Sequence, residues 1–242
     1  MRNGLTWDEI CAATDASVRR GGVAGDTILP ITTDTRKIAA GDLFVALRGE
    51  NFDGTAFAAE ALERGAAAVL VDQKTPASVL AALDAAHGGV LVAEDTLRAY
   101  QDIAHAWRMK FNIPVVAITG SNGKTTTKDL TAAVLSGRGK VCRTAANYNN
   151  EVGLPLTLLS ITPEDTAAVV EIGMRGLGQI AALAPLAAPS VGVVTNVGET
   201  HIELLGSMEN IARAKSELAE AISPGGTVIL NADDPRVAAM AG

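Results

Sequence analysis

Unbroken apolar runs recur along the chain: "LFVAL" at 43–47, "AAVLV" at 67–71, "GVLVA" at 89–93, "VVAIT" at 115–119, "AAVVEI" at 167–172, "VGVVTN" at 191–196 and "TVIL" at 227–230. A strand with one wet face alternates apolar and polar residues, whereas a continuous apolar run requires cover on both faces. Between the runs the pattern turns helical. Helices are expected from the capping box Thr6-Trp7-Asp8-Glu9, before Gly65, after Pro76, over 95–111, from Lys124, near Gly178 and from Ser207. Strands alternating with helices specify an α/β fold, parallel sheet with crossover helices. Aromatics make up only 3% of residues, so the core must be built from Ala, Val, Leu and Ile.

Pro114 disfavours helix at the residue before it and punctuates the chain. The chain is expected to divide there into a small N-terminal α/β domain over 1–111 and a P-loop parallel-sheet domain over 112–242. The closing stretch "TVILNADDPRVAAMAG" stops just after a strand, so the second domain reads as incomplete.

A net charge of −7 gives no electrostatic footprint for nucleic acid. No apolar run approaches the ~20 residues of a membrane span, and "MRNGLTWDEI" lacks the basic-then-apolar pattern of a signal peptide. Cys11 and Cys142 form no CxxC or metal spacing and are expected to be buried small apolar residues. The expectation is a soluble, cytoplasmic monomer.

After "VVAIT" comes "GSNGKTT", Gly120, Ser121, Asn122, Gly123, Lys124, Thr125 and Thr126, between a strand and a helix. Successive N–H groups of such a loop cradle phosphate oxygens, a lysine reaches the outer phosphates, and a threonine hydroxyl can ligate Mg²⁺. The usual motif places glycine where Ile118 stands, so this is a shortened variant. Ligands of open α/β sheets collect at the carboxyl ends of strands. There the chain offers Glu171 after one run, and Asn196 followed by His201 after another. No later strand ends in the usual Walker-B aspartate; Glu171 takes the nearest equivalent place. In the helix "SMENIARAKSELAEAI", Ile211, Ala214, Leu218 and Ile222 form the buried stripe, and Arg213 has Glu209 and Glu217 four residues to either side. Lys215 has no acid at helical spacing. "NYNNEVGLPLTLL" sets Asn147, Asn149 and Asn150 ahead of an amphipathic segment, more asparagines than a single cap requires.

Together "GSNGKTTTK", "NYNNEVGLPLTLL", "EIGMRGLGQI", "TNVGETHIELLGSMENIARAKSEL" and "NADDP" resemble the central ATPase domain of Mur ligases. "DTRKIAAGDLFVALRGENFDG" and "AAEALERGAAAVLVD" resemble the N-terminal UDP-binding domain of the later members, and the likeness is greatest to the member that adds D-alanyl-D-alanine to UDP-N-acetylmuramoyl-tripeptide. The resemblance implies ATP and Mg²⁺ as cofactors and an acyl-phosphate route to the new amide. It implies that Lys124 and Thr125 bind the ATP phosphates and a first Mg²⁺, that Glu171 and His201 complete Mg²⁺ sites, and that Lys215, once carbamylated, ligates a second Mg²⁺. Asn147, Asn149 and Asn150 would face the γ-phosphate and the incoming substrate. Thr35, Arg36, Arg48, Gly49, Asp53 and Gly54 would grip the UDP-sugar. The resemblance leaves open a sibling ligase that adds diaminopimelate or lysine, a folylpolyglutamate synthase, and a nucleotide-binding module without catalysis.

Overall fold

The computed structural model describes residues 4–49, 52–200 and 202–241. The chain separates into two compact units, Met1–Trp107 and Arg108–Gly242, with the division inside helix α4 (Thr96–Met109).

The first unit carries a five-stranded sheet in the order β1-β5-β4-β3-β2, built from β1 (Ser17–Arg20), β2 (Ile31–Thr32), β3 (Leu43–Val45), β4 (Ala68–Asp72) and β5 (Gly89–Ala93). Strands β2 to β5 run parallel, as the strand–helix alternation implies, and an added edge strand, β1, lies antiparallel to β5. An edge strand has a neighbour on one side only and tolerates polar residues, which is why "SVRR" gives no apolar signal. The capping box holds: Glu9 N–H donates to Thr6 Oγ1 at 3.2 Å, and Thr6 N–H donates to Glu9 Oε2 at 2.8 Å, opening α1 (Trp7–Ala13). Helices α2 (Ala58–Glu63) and α3 (Ala77–Ala85) lend Ala58, Ala61, Leu62 and Leu83 to a core with Phe44, Val69, Val71 and Val90.

The second unit is a five-stranded parallel sheet in the order β7-β8-β6-β9-β10, from β6 (Val115–Thr119), β7 (Lys140–Arg143), β8 (Asp165–Glu171), β9 (Val191–Val194) and β10 (Thr227–Leu230). Its helices are α5 (Lys124–Leu135), α6 (Gly153–Leu159), α7 (Gln179–Ala187), α8 (Ile202–Leu205), α9 (Met208–Glu220) and α10 (Pro235–Ala238). Side chains of β6 alternate between the two covered faces. Val116 and Ile118 pack with Ala132 of α5, whereas Ala117 pairs with Gly192, whose missing Cβ leaves room for Leu218 of α9 and for Ile222. Arg108 is buried and donates to the carbonyls of Phe111 (2.7 Å), Ile113 (3.2 Å) and Ala187 (2.9 Å), which fixes the segment leading into β6.

Cys142 is buried as expected, but Cys11 is only half-buried. No helix among the described residues is long and apolar enough to cross a membrane.

Candidate active site

The site is built where β6, β8 and β9 end. Gly120 leaves β6 at φ +146°, and a Cβ there would lie 1.9 Å from Thr195 Oγ1, so only glycine fits. Gly123 adopts φ +77° and caps α5 without any side-chain bond. The N–H of Thr127 donates to Gly123 O at 2.9 Å, so those of Lys124, Thr125 and Thr126 before it have no helical acceptor. An uncapped helix start with oriented N–H groups and the positive end of the helix dipole is an anion site.

Ser121 and Asn122 are tied to the segment after β9. Ser121 Oγ donates to Gly198 O at 3.0 Å and accepts from Gly198 N–H at 2.8 Å. Asn122 N–H donates to Asn196 Oδ1 at 2.9 Å, while Asn122 O accepts from Asn196 Nδ2 at 3.0 Å and Thr195 Oγ1 at 2.7 Å. These bonds hold the loop open as a rigid cradle, a role for Thr195 and Asn196 that the sequence motif does not announce. Lys124 Nζ bends back to the carbonyls of Gly120 (2.8 Å) and Ser121 (3.2 Å). Thr126 is exposed on the first turn of α5.

Glu171 ends β8 and is buried, yet its carboxylate is fully engaged at the mouth of the loop. Oε2 accepts from Thr125 Oγ1 at 2.9 Å, and Oε1 from Asn149 Nδ2 at 2.8 Å. Its backbone N–H donates to Thr144 Oγ1 at 3.0 Å. A hydroxyl and a carboxylate oxygen at this separation suit a hard cation such as Mg²⁺, which keeps several waters and needs few protein ligands. No group of three or more His, Cys, Asp or Glu that could hold a metal occurs among the described residues. His201 lies outside them.

Lys215 is buried on α9 and has no hydrogen-bond or ion-pair partner among the described residues. Burial, and next the charge of Lys124, push its amine down to about 8. The expected partners of Arg213 are not its partners here. Glu217 instead caps α7, accepting from Gly178 N–H at 2.6 Å and Ala181 N–H at 3.0 Å.

The asparagines divide their work. Asn150 Oδ1 accepts from Val152 N–H (3.3 Å) and Gly153 N–H (2.8 Å) at the start of α6, Asn149 holds Glu171, and Asn147 is exposed.

In the first unit, Arg48 follows β3 and reaches Asp72 at the carboxyl end of β4. Nε and Nη2 donate to Asp72 at 2.8 and 3.2 Å, and Nη1 donates to Asp53 at 2.7 Å. Asp72 is itself held by Thr75 Oγ1 at 3.2 Å. Arg48 and Gly49 pair with Asp53 and Phe52 in a two-stranded ribbon, and a Cβ on Gly54 would lie 2.6 Å from Leu47 O. Hydrogen bonds from Thr55, followed by the charge of Arg48, hold the Asp53 carboxyl below its ordinary range. Thr35 and Arg36 sit on the single turn Thr35–Lys37, where Arg36 grips Asp34 through two bonds of 2.9 Å and lowers its carboxyl to about 2. Asp34, Asp72 and Thr75 are missed by the sequence reading, although Asp72 closes an apolar run just as Glu171 does.

Comparison with known proteins places both units in one family. Residues 118–242 match the Mur ligase middle domain, and residues 27–108 match the catalytic domain of the Mur ligase family. The UDP-N-acetylmuramoyl-tripeptide–D-alanyl-D-alanine ligase of Synechocystis sp. is 53% identical over 204 residues, 84% of this chain and 44% of that protein. The chain therefore spans less than half the length of that relative. Among solved structures, MurF from Acinetobacter baumannii superposes with a TM-score of 0.87 at 31% identity, covering 97% of this chain and 50% of that one. MurF ligase from Thermotoga maritima in complex with ADP gives 0.75 at 32% identity, covering 85% and 46%. The chain belongs to the Mur ligase family.

Proposed function

We propose that this chain is the UDP-substrate- and nucleotide-binding part of an ATP-dependent ligase. That ligase adds D-alanyl-D-alanine to UDP-N-acetylmuramoyl-tripeptide through an acyl phosphate, in cytoplasmic peptidoglycan precursor synthesis. The observation that carries the reading is the Thr125 hydroxyl 2.9 Å from Glu171 beside an uncapped phosphate loop, in a chain 53% identical to a ligase of that name.

In this reading the N–H groups of Lys124, Thr125 and Thr126 take phosphate oxygens, and Lys124 exchanges its bonds to loop carbonyls for the outer phosphates. Thr125 and Glu171 would hold Mg²⁺, with His201 and a carbamylated Lys215 as further ligands. The ion, when bound, neutralises charge gathering on the transferred phosphoryl group. Carbamylation needs a neutral amine, whose lone pair bonds to the carbon of CO₂ with release of one proton; the buried, partnerless Lys215 meets that need. Asn147 and the free amide of Asn150 face the incoming carboxylate, whereas Asn149 acts through Glu171. In the first unit Thr35, Arg36, Arg48, Gly49, Asp53 and Gly54 receive the UDP-sugar; Arg48 uses three N–H groups on Asp72 and Asp53 and keeps the others for phosphate.

Two measurements test the reading. Calorimetry with this chain should show ADP binding that strengthens with Mg²⁺, and binding of UDP-N-acetylmuramoyl-tripeptide. Phosphate release by the protein at the full length of its family should depend on D-alanyl-D-alanine; preference for meso-diaminopimelate as acceptor would overturn the assignment.

A further inference from the structure

Lys128 stands one turn beyond Lys124 on α5 and is 3% exposed. A lysine is almost never buried so far without groups that offset its lost hydration. Its ammonium donates to the backbone carbonyl of Thr144 at 2.9 Å. The facing carboxylate, Asp129, is 3.5 Å away, half exposed, and shared with Arg143 at 3.4 Å. An exposed carboxylate so placed contributes little, so the carbonyl bond is the feature to explain.

Thr144 follows β7, an edge strand with β8 on one side only. Its N–H donates to Val169 O at 3.1 Å, and its hydroxyl accepts the Glu171 N–H at 3.0 Å. The chain then continues through Ala146, held at φ +46°, to Asn149, whose amide holds Glu171 Oε1 at 2.8 Å. Asn149 O also accepts the Gly173 N–H at 2.8 Å. Both the backbone and the carboxylate of Glu171 are therefore held by the segment that begins at Thr144, and Lys128 anchors that beginning from the helix layer. Because α5 also carries Thr125, one helix presents the hydroxyl and fixes the strap that holds its carboxylate partner.

We propose that Lys128 is a positioning residue for the Thr125–Glu171 pair: its buried ammonium clamps the end of β7, and the clamp sets where the Glu171 carboxylate meets a bound divalent cation. The inference rests on the magnesium–nucleotide reading of this site.

The test is ADP affinity of this chain by calorimetry, in Mg²⁺ and in EDTA. Lys128→Met keeps the length of the side chain and removes the donor. It should cut the Mg²⁺-dependent gain in affinity ~10-fold, the scale of outer-shell substitutions at metal sites, and leave the affinity in EDTA within about 2-fold. Thr144→Val, which keeps the carbonyl and removes the hydroxyl, should reproduce that loss, and Lys128→Gln, which removes the charge and shortens the side chain, serves if Lys128→Met does not fold. The double variant should lose no more than either single one, because both act along one path. Lys128→Arg should restore most of the gain. Equal losses with and without Mg²⁺, no loss at all, or failure of Lys128→Arg to restore it would overturn the proposal. A wild-type affinity indifferent to Mg²⁺ would overturn the functional reading itself, and this inference with it.

Discussion

The amine of Lys215 is pushed down to about 8, and the same side chain titrates near 10.5 when it is exposed. Below about pH 8 both folded and unfolded chains carry the proton, and the folded state bears the full cost of a buried cation. Between about pH 8 and 10.5 the folded state has released its proton while the unfolded chain still holds one. The unfolded state then binds more protons, and stability rises with pH. The difference is on the order of 3 kcal/mol. Lys215→Met should therefore be more stable than wild type near pH 7, with the advantage shrinking towards pH 10. Urea midpoints at the two pH values check this; a variant no more stable near pH 7 would contradict it. Gly120 makes a second prediction at this scale. A Cβ there meets Thr195 Oγ1 at 1.9 Å in a backbone conformation that L residues avoid. Gly120→Ala should cost at least ~2 kcal/mol in a thermal melt, and the cradle for phosphate should be lost with it.

Helix α7 begins at Gly178 in the left-handed conformation, with no side chain of its own loop to close it. The carboxylate that closes it comes from another helix, Glu217 of α9, so cap and packing are one interaction. Glu217→Ala should destabilise the second unit by about 1 kcal/mol, the usual loss for an N-cap; a denaturation midpoint unchanged within error would show that the cap is idle. What the sequence reveals follows from the same layering. β4, β5, β6, β8 and β9 declare themselves because both faces are covered, and Glu171 is found because it ends such a run. β1 and β7 carry arginine and lysine at sheet edges and give no apolar signal. Thr144 and Lys128 stay hidden for that reason: their part depends on an edge strand that the pattern does not show. Glu217 reads as a surface partner of Arg213 because helical spacing says nothing of a neighbouring helix.

Across the whole molecule, each unit gathers its polar groups where parallel strands end: Arg48, Asp53 and Asp72 in the first, and Thr125, Glu171 and Lys124 in the second. Binding groups of this kind position substrates one at a time. Amide formation also requires the amine to be held against the activated carbon, and fixing two reactants in that geometry removes ~7–11 kcal/mol from a barrier. The relative that is 53% identical is more than twice as long as the part this chain matches. Under the proposed function, this chain alone should bind Mg·ADP and the UDP-substrate without turnover. A coupled assay for ADP, run with ATP, UDP-N-acetylmuramoyl-tripeptide and D-alanyl-D-alanine, should stay at the rate seen with ATP alone. Release that requires both substrates would show that these 242 residues already hold the amine, and would move the whole ligation into the groups described above.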